Sequence, residues 1–198
     1  SEIDNGRTGS GGWGSYYNSA EDGGRGDTPF SDYLIAAYSD NDKRITNLSK
    51  ENVNAEGVSL LYTTKFPDVV THSDNSPIIR TTEVVLNRAE ALAQLDGINN
   101  ESLDLINELR ERAGLDALNA SDFADKEAFI AQILEERRKE LAFEGHRRMD
   151  LLRNNLPLRP ESDTYFDDSK PGQNRTILPI PQRELDINTG LIQNPGYE

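Results

Sequence analysis

Apolar positions along the chain follow two regimes. From residue 77 onward they recur at helical spacing; before it they come in short runs broken by glycine, proline and small polar residues. In TTEVVLNRAEALAQLDG, Val85, Ala89, Leu92 and Ala93 share one helical face, and Gly97 supplies a stop. NNESLDLINELRERAG repeats the design with Leu103, Leu105, Ile106, Leu109 and Ala113, ending at Gly114. Two amphipathic helices with so short a link predict an antiparallel hairpin. A third helical pattern runs from Asp125 to Asn155. At ~100° per residue it gathers Phe129, Ile130, Ile133, Leu134, Leu141, Leu151 and Leu152 into one arc. That predicts one long third helix, with a bend or a close contact at Gly145.

Prolines at 157, 160, 171, 179, 181 and 195 exclude a long helix beyond that point. ILPIPQRELDINTGLIQNPGY reads as an extended tail, and Ile177, Leu178, Ile180, Leu185, Ile187, Leu191 and Ile192 are too apolar to float free, so it is expected to lie against the helices. Upstream, FSDYLIAAY predicts a short helix, DNDKR a solvated turn, and residues 45–80 one or two short strands. The chain is thus mainly α. An irregular segment over 1–76 could carry ligand loops; a helical core spans 77–155 and a tail 156–198.

Charge complicates the third helix. Arg137, Glu140, Glu144 and Arg148 fall inside its apolar arc, whereas Glu135, Arg138, Lys139 and His146 point elsewhere, to an expected solvated face. Charged groups turned toward a core must be paired, because an unpaired buried charge costs several kcal/mol or more. A partly buried ion network is therefore predicted, involving Arg88, Arg137, Glu140, Glu144, Arg147 and Arg148. Arg88, on the apolar face of the first helix, is the expected partner of Glu140 or Glu144.

Composition narrows the function. The 198 residues carry a formal charge of −14, with a pI of about 4.6 and a mean hydropathy of −0.70. Nucleic acid and anionic membrane surfaces call for the opposite balance. There is no cysteine, hence no disulfide, thiolate metal site or Cys nucleophile. No apolar run approaches the ~18 residues of a spanning helix, and no leader opens the sequence; an exported protein would carry its leader outside this chain. His72 and His146 have no partner at helical zinc spacing. No cofactor is predicted.

The glycine-rich start holds tempting motifs. Gly9, Gly11 and Gly14 match a dinucleotide-loop spacing, but no strand precedes and no helical pattern follows. Arg25-Gly26-Asp27 is a three-residue match without weight. Trp13, Tyr16 and Tyr17 are different, since flat rings on a loop can stack on sugar C–H faces while Asp, Asn and Arg bond hydroxyls. The same rings can instead pack back on the body. Tyr165 and Phe166, in the acidic loop ESDTYFDDSKPG, are the second aromatic candidates.

LNRAEALAQL, INELRERAGL, ILEERRKELAFEGHRRMDLLR and LPIPQRELDINTGLIQNPGY, in that order, resemble the C-terminal region of the RagB/SusD family over residues 76–198, with a weaker echo at Asn41–Arg44. The resemblance implies a helical fold built on tetratricopeptide-like pairs with long irregular loops. It further implies a lipid-anchored protein at the cell surface in the outer membrane of Bacteroidota, which captures glycans or other nutrients and hands them to a TonB-dependent transporter. The lipid anchor would lie outside this chain, which looks like a C-terminal piece. The matching motif residues, among them Arg110, Arg112, Gly114, Glu136, Arg137, Glu140, Glu144, Gly145, Arg147, Asp150, Pro179, Pro181, Asn194, Pro195 and Gly196, read as scaffold.

Three functions follow for weighing: non-catalytic binding of oligo- or polysaccharide; a helical scaffold that docks on a partner without a ligand of its own; and hydrolysis by Glu136, Glu140 and Glu144. Glycoside hydrolysis needs two carboxylates facing each other roughly 5 to 10 Å apart across an open site. Carboxylates in one helical stripe interleaved with arginine form salt bridges instead, so no enzyme is predicted.

Overall fold

The computed structural model describes residues 12–54 and 56–197. Gly9 and Gly11 lie outside the described residues. The chain forms two compact units, one running to Glu144 and the other starting at Gly145.

The first unit is organised around three helices, α4 (Thr81–Asp96), α5 (Asn100–Arg112) and α6 (Lys126–Glu140). Gly97, at φ +71, ends α4, and the Asn99 side chain accepts from the Ser102 N–H at 2.8 Å to open α5. The resulting hairpin is the predicted tetratricopeptide-like pair. Ala89 and Ala93 of α4 bury against Leu103 and Ile106 of α5 and against Phe129, Ile130, Ile133 and Leu134 of α6. A second cluster joins Leu86, Leu109 and Leu141. Ser102, fully buried in α5, donates to the Ala89 carbonyl at 2.7 Å, so this buried hydroxyl is satisfied.

Residues 12–76 supply three short helices, α1 (Trp13–Tyr17), α2 (Asp32–Ile35) and α3 (Lys43–Thr46), and a hairpin of β1 (Ser49–Val53) and β2 (Ser59–Thr63). The strands are antiparallel, with Ser49 opposite Thr63 and Val53 opposite Ser59. The Phe30 N–H donates to Leu61 at 2.7 Å, tying the first loop to β2. The DNDKR turn is not solvated as expected. Asp42 is fully buried and Arg44 nearly so, because the turn is inserted beside the end of α6.

The third helix is not continuous over 125–155. It stops at Glu140, and α7 (Arg147–Arg153) begins in the second unit. Phe143 at φ +66 and Gly145 at φ +83 leave the helical region within three residues. A left-handed phenylalanine costs roughly 1–2 kcal/mol. Here it turns the ring into edge contacts with Phe30 (4.7 Å) and Tyr17 (5.3 Å), each worth about 0.5–1.5 kcal/mol beyond area burial. The burial of Phe143 thus offsets the break.

The face assignment also needs correcting before the break. Arg138 and Lys139 are buried, not solvated, because the segment around α2 and α3 covers that side of α6. The Arg138 guanidinium lies 3.8 Å from the Tyr33 ring centroid and donates to the Tyr33 carbonyl at 2.5 Å. Tyr38 donates its hydroxyl to the Lys139 carbonyl at 2.8 Å.

In the second unit, α7 is followed by turns and by α8 (Gln182–Ile187), formed where an extended chain was expected. The tail's apolar side chains do not form a core: Ile177, Leu178, Ile187, Leu191 and Ile192 are all exposed. Polar contacts hold the tail's shape instead. Gln193 accepts from the Ile180 N–H at 2.8 Å and donates to its carbonyl at 2.9 Å, while Asn194 donates to the Leu178 carbonyl at 2.7 Å.

Candidate functional site

The charged end of α6 explains itself from its carboxylates outward. Glu136, fully buried, accepts from Arg44 and Arg110 at 2.7 Å each, from Lys139 at 2.9 Å and from Gln132 at 3.1 Å. Asp42 holds Arg44 in turn, at 2.6 Å to Nη2, and accepts from the Arg44 N–H at 2.9 Å. Burial pushes the Glu136 carboxyl up, but the fields of Arg44 and Lys139 and their hydrogen bonds overcome it, bringing it down to about 2. One turn on, Glu140 meets Arg80 at 3.1 Å and Arg112 at 2.6 Å. Glu144 meets Lys65 and Arg80 at 2.7 Å each. Burial opposes its ionisation too, and the bonds from Arg80 and Lys65 prevail, holding it below the usual carboxylate range.

These cations do a second job. Arg80 donates to the Glu140 carbonyl at 2.7 Å, and Lys65 donates to the carbonyls of Glu140 and Ala142 at 2.9 and 3.0 Å. A helix leaves its last carbonyls unpartnered and its C-terminus partially negative; Arg80 and Lys65 satisfy both.

Arg88 is not among these partners. It is exposed and pairs with Glu101. Leu86, fully buried, is the centre of the α4 stripe, flanked by Ala89 and Ala93, which places Arg88 about 200° round the helix at ~100° per residue. Arg137 donates to Asn87 at 2.7 Å and lies 4.0 Å from Glu90. Arg147 and Arg148 belong to α7; Arg148 donates to the Thr176 carbonyl at 2.5 Å. Glu136 and Glu140 of α6 are engaged by cations, as carboxylates interleaved with arginine were expected to be. Glu136, held near 2, cannot carry a proton to a leaving group at neutral pH.

The aromatic candidates divide. Trp13 and Tyr17, one turn apart on α1, stack at 5.8 Å and 5°, and both rest on Phe66 at 5.6 and 5.5 Å. Trp13 donates its indole N–H to Ser76. Their rings pack mainly on one another and on the body. Tyr16 is 42% exposed, with Arg25 over its ring at 5.1 Å.

Tyr165 is 58% exposed and lines a cleft of about 690 Å³ inside the second unit, together with Tyr197. Arg159 stands 5.5 Å over Tyr165 and bonds Asp163 at 2.9 Å; Arg175 stands 5.9 Å over Tyr197 and lies 3.7 Å from Asp168. The Tyr165 N–H and Arg159 together hold the Asp163 carboxyl low. With Arg148, two tyrosines, three guanidinium forks and two carboxylates thus line one concavity. Phe166, half-buried, carries Lys170 4.8 Å over its ring. Tyr197, Arg159 and Arg175 were not singled out from sequence, and only their occurrence among turn residues hinted at exposure. Among the described residues no acidic or histidine cluster is placed to hold a metal ion, and no helix is long and apolar enough to cross a membrane.

The model of the SusD family matches residues 11–197. The chain belongs to the SusD family. The SusD-like protein P25 of Formosa agariphila is 36% identical over 135 residues, which is 64% of this chain and 25% of that protein. The starch-binding protein SusD of Bacteroides thetaiotaomicron is 29% identical over 156 residues, 75% of this chain and again 25% of that protein. A SusD superfamily crystal structure from Bacteroides fragilis matches with a TM-score of 0.64 at 26% identity, covering 80% of this chain and 36% of the other. This SusD-family chain therefore spans about a quarter of the length of the curated relatives it matches, and its helix pair with irregular insertions is the architecture the resemblance implied.

Proposed function

We propose that this chain is part of a non-catalytic, surface-exposed binding protein of the outer membrane, held by a lipid anchor outside the chain, which captures oligo- or polysaccharide and delivers it to a TonB-dependent transporter. Similarity to a starch-binding protein supports the ligand class. The observation that carries the proposal is the cleft of Tyr165 and Tyr197. Its rings offer flat apolar faces to sugar C–H groups, and Arg159, Arg175, Asp163 and Asp168 offer donors and acceptors to hydroxyls. Of the aromatics singled out from sequence, Tyr165 occupies the cleft, Tyr16 offers a second exposed face, and Trp13, Tyr17 and Phe166 serve to shape their loops. The engaged carboxylates of α6 support a binding role over hydrolysis.

Isothermal titration with a panel of neutral oligosaccharides, starting from maltooligosaccharides, tests the proposal. Tyr165→Ala is expected to weaken binding roughly tenfold, the size of one lost aromatic contact. Unchanged affinity in Tyr165→Ala would remove the cleft from consideration. A second role, docking on the transporter, is favoured by the exposed Ile187, Leu191 and Ile192, which lie outside the tyrosine cleft. Replacing these three by Ser is expected to abolish transporter pull-down while sugar binding persists.

A further inference from the structure

The first unit has its own cleft, of about 570 Å³, beside the C-terminal end of α6. Its charge runs against that of the chain. The sequence carries a formal charge of −14, yet six cationic side chains and three carboxylates line this cleft. The ion network leaves the imbalance unresolved. Glu140 and Glu144 face Lys65, Arg80 and Arg112, while Asp42 and Glu136 face Arg44, Arg110 and Lys139. Each group contains one more cation than carboxylate. The third lining carboxylate, Asp74, accepts from the Asp68 N–H at 2.9 Å.

Two cations at the mouth have donors to spare. Lys43 is exposed, and its ammonium group has no hydrogen bond or ion pair among the described residues. Arg112, 58% exposed, gives one Nη2 contact to Glu140 at 2.6 Å, which leaves most of its fork open. The Lys43 N–H donates to the Ala113 carbonyl at 2.9 Å, so the two residues are held on adjoining backbone. The Lys43 stem crosses Gly114: a Cβ there would sit 3.1 Å from its Cε. Asn47 and Asn75 line the same space with amides, and Leu48, Phe66 and Pro77 give it an apolar side.

We propose that this cleft is an anion-selective subsite, receiving the carboxylate or sulfate ester of an acidic oligosaccharide between Lys43 and Arg112. The proposal rests on the glycan-binding function above and narrows the class of glycan. A guanidinium fork matches a carboxylate or sulfate edge, and the ammonium group adds a point charge beside it. The net charge of −14 repels an acidic polymer overall, so a concave wall with surplus cations favours the place where its charged group lands. Amides and an apolar side suit the neighbouring hydroxyls and C–H face of the same sugar.

The test is titration of the whole chain with three probes of similar length: trigalacturonate, a sulfated carrageenan oligosaccharide and maltotriose. Wild type, Lys43→Ala, Arg112→Gln and Tyr165→Ala are compared, with melting curves as the folding control. At least one acidic probe is expected to bind roughly tenfold more tightly than maltotriose. Lys43→Ala, which breaks no side-chain hydrogen bond or ion pair among the described residues, should weaken that probe about five- to tenfold without moving the melting curve or maltotriose binding, and Arg112→Gln should do the same to the probe. High salt, which shortens the Debye length from ~10 to ~3 Å, should reproduce the loss. Whichever acidic probe responds identifies carboxylate or sulfate as the recognised group. Equal binding of acidic and neutral probes, or an acidic probe indifferent to Lys43→Ala, overturns the proposal. If maltotriose binding then still depends on Tyr165, glycan binding stands without the anion subsite; if the acidic probe alone binds, through Lys43, the tyrosine cleft is what falls.

Discussion

Replacing Glu136 by Gln asks whether its charge holds the end of α6 in place. Glutamine keeps the volume and one acceptor oxygen, but leaves Arg44, Arg110 and Lys139 gathered about a fully buried neutral group, with Asp42 as the remaining carboxylate. Removing one member of a buried ion pair costs about 3–5 kcal/mol. The titration of Glu136 leads to a similar figure. Its carboxyl lies at about 2 against an ordinary 4.5, and at about 1.36 kcal/mol per unit this is about 3 kcal/mol of stability. Since the folded value is the lower one, that contribution is complete above about pH 4.5 and disappears as pH falls toward about 2. The wild type should therefore exceed Glu136→Gln by about 3–5 kcal/mol at neutral pH, and the gap should close steadily from about pH 4.5 downward. Urea unfolding followed through Trp13, the single tryptophan and part of the same unit as Glu136, measures it. A gap below about 1 kcal/mol at neutral pH, or one of constant size down to pH 3, refutes the reasoning.

Arg80→Ala removes a shared partner of Glu140 and Glu144 together with a cap of α6, and should cost at least about 2 kcal/mol by the same unfolding assay. Arg88→Ala, which breaks an exposed pair with Glu101, should change stability by less than about 0.5 kcal/mol. Gly14→Ala places a Cβ 2.3 Å from the Asp68 carbonyl oxygen and 2.6 Å from its carbon. The backbone must part there, at a cost of about 1–3 kcal/mol, with a shift in Trp13 emission on the same helix.

The parts of the fold legible in the chain are those set by local rules. Leu103, Ile106 and Leu109 recur at helical spacing and end at a glycine, so α5 and its pairing with α4 follow from the residues themselves. The presence of charge on the buried side of α6 was legible for the same reason, since Arg137 and Glu140 share its arc with Phe129 and Ile133. The partners were not. Arg44 lies 92 residues from Glu136 and Arg80 64 from Glu144, and nothing in a five-residue polar turn announces that it will be inserted against a helix end. A polar turn is normally solvated; Asp42 and Arg44 are buried because they neutralise each other on the way in. The glycine-rich start left two readings open, rings free for a ligand or rings packed back on the body. Gly14 marks a close approach to the Asp68 backbone, and this packing lets Trp13 and Tyr17 stack where a loose loop was expected.

The candidate ligand groups and the scaffold charges are held by different means, and this bears on how binding can vary. Glu136, Glu140 and Glu144 are fixed by several bonds each, to residues from both ends of the first unit, so a change at any one disturbs the others. Lys43 has no such ties, and Tyr165 and Tyr197 are placed by turn backbone: the Asp163 carboxylate fixes the Tyr165 N–H, and Gly196, at φ +86, lies against Asn174 beside Tyr197. A substitution at Lys43 or Tyr165 alters what a cleft presents without reaching the α6 network, whereas one at Glu136 acts first on folding. What the two proposed clefts present can therefore change while the helical frame stays constant. The exposed aromatics and Lys43, and not the crowded carboxylates of α6, are the places to test for its chemistry.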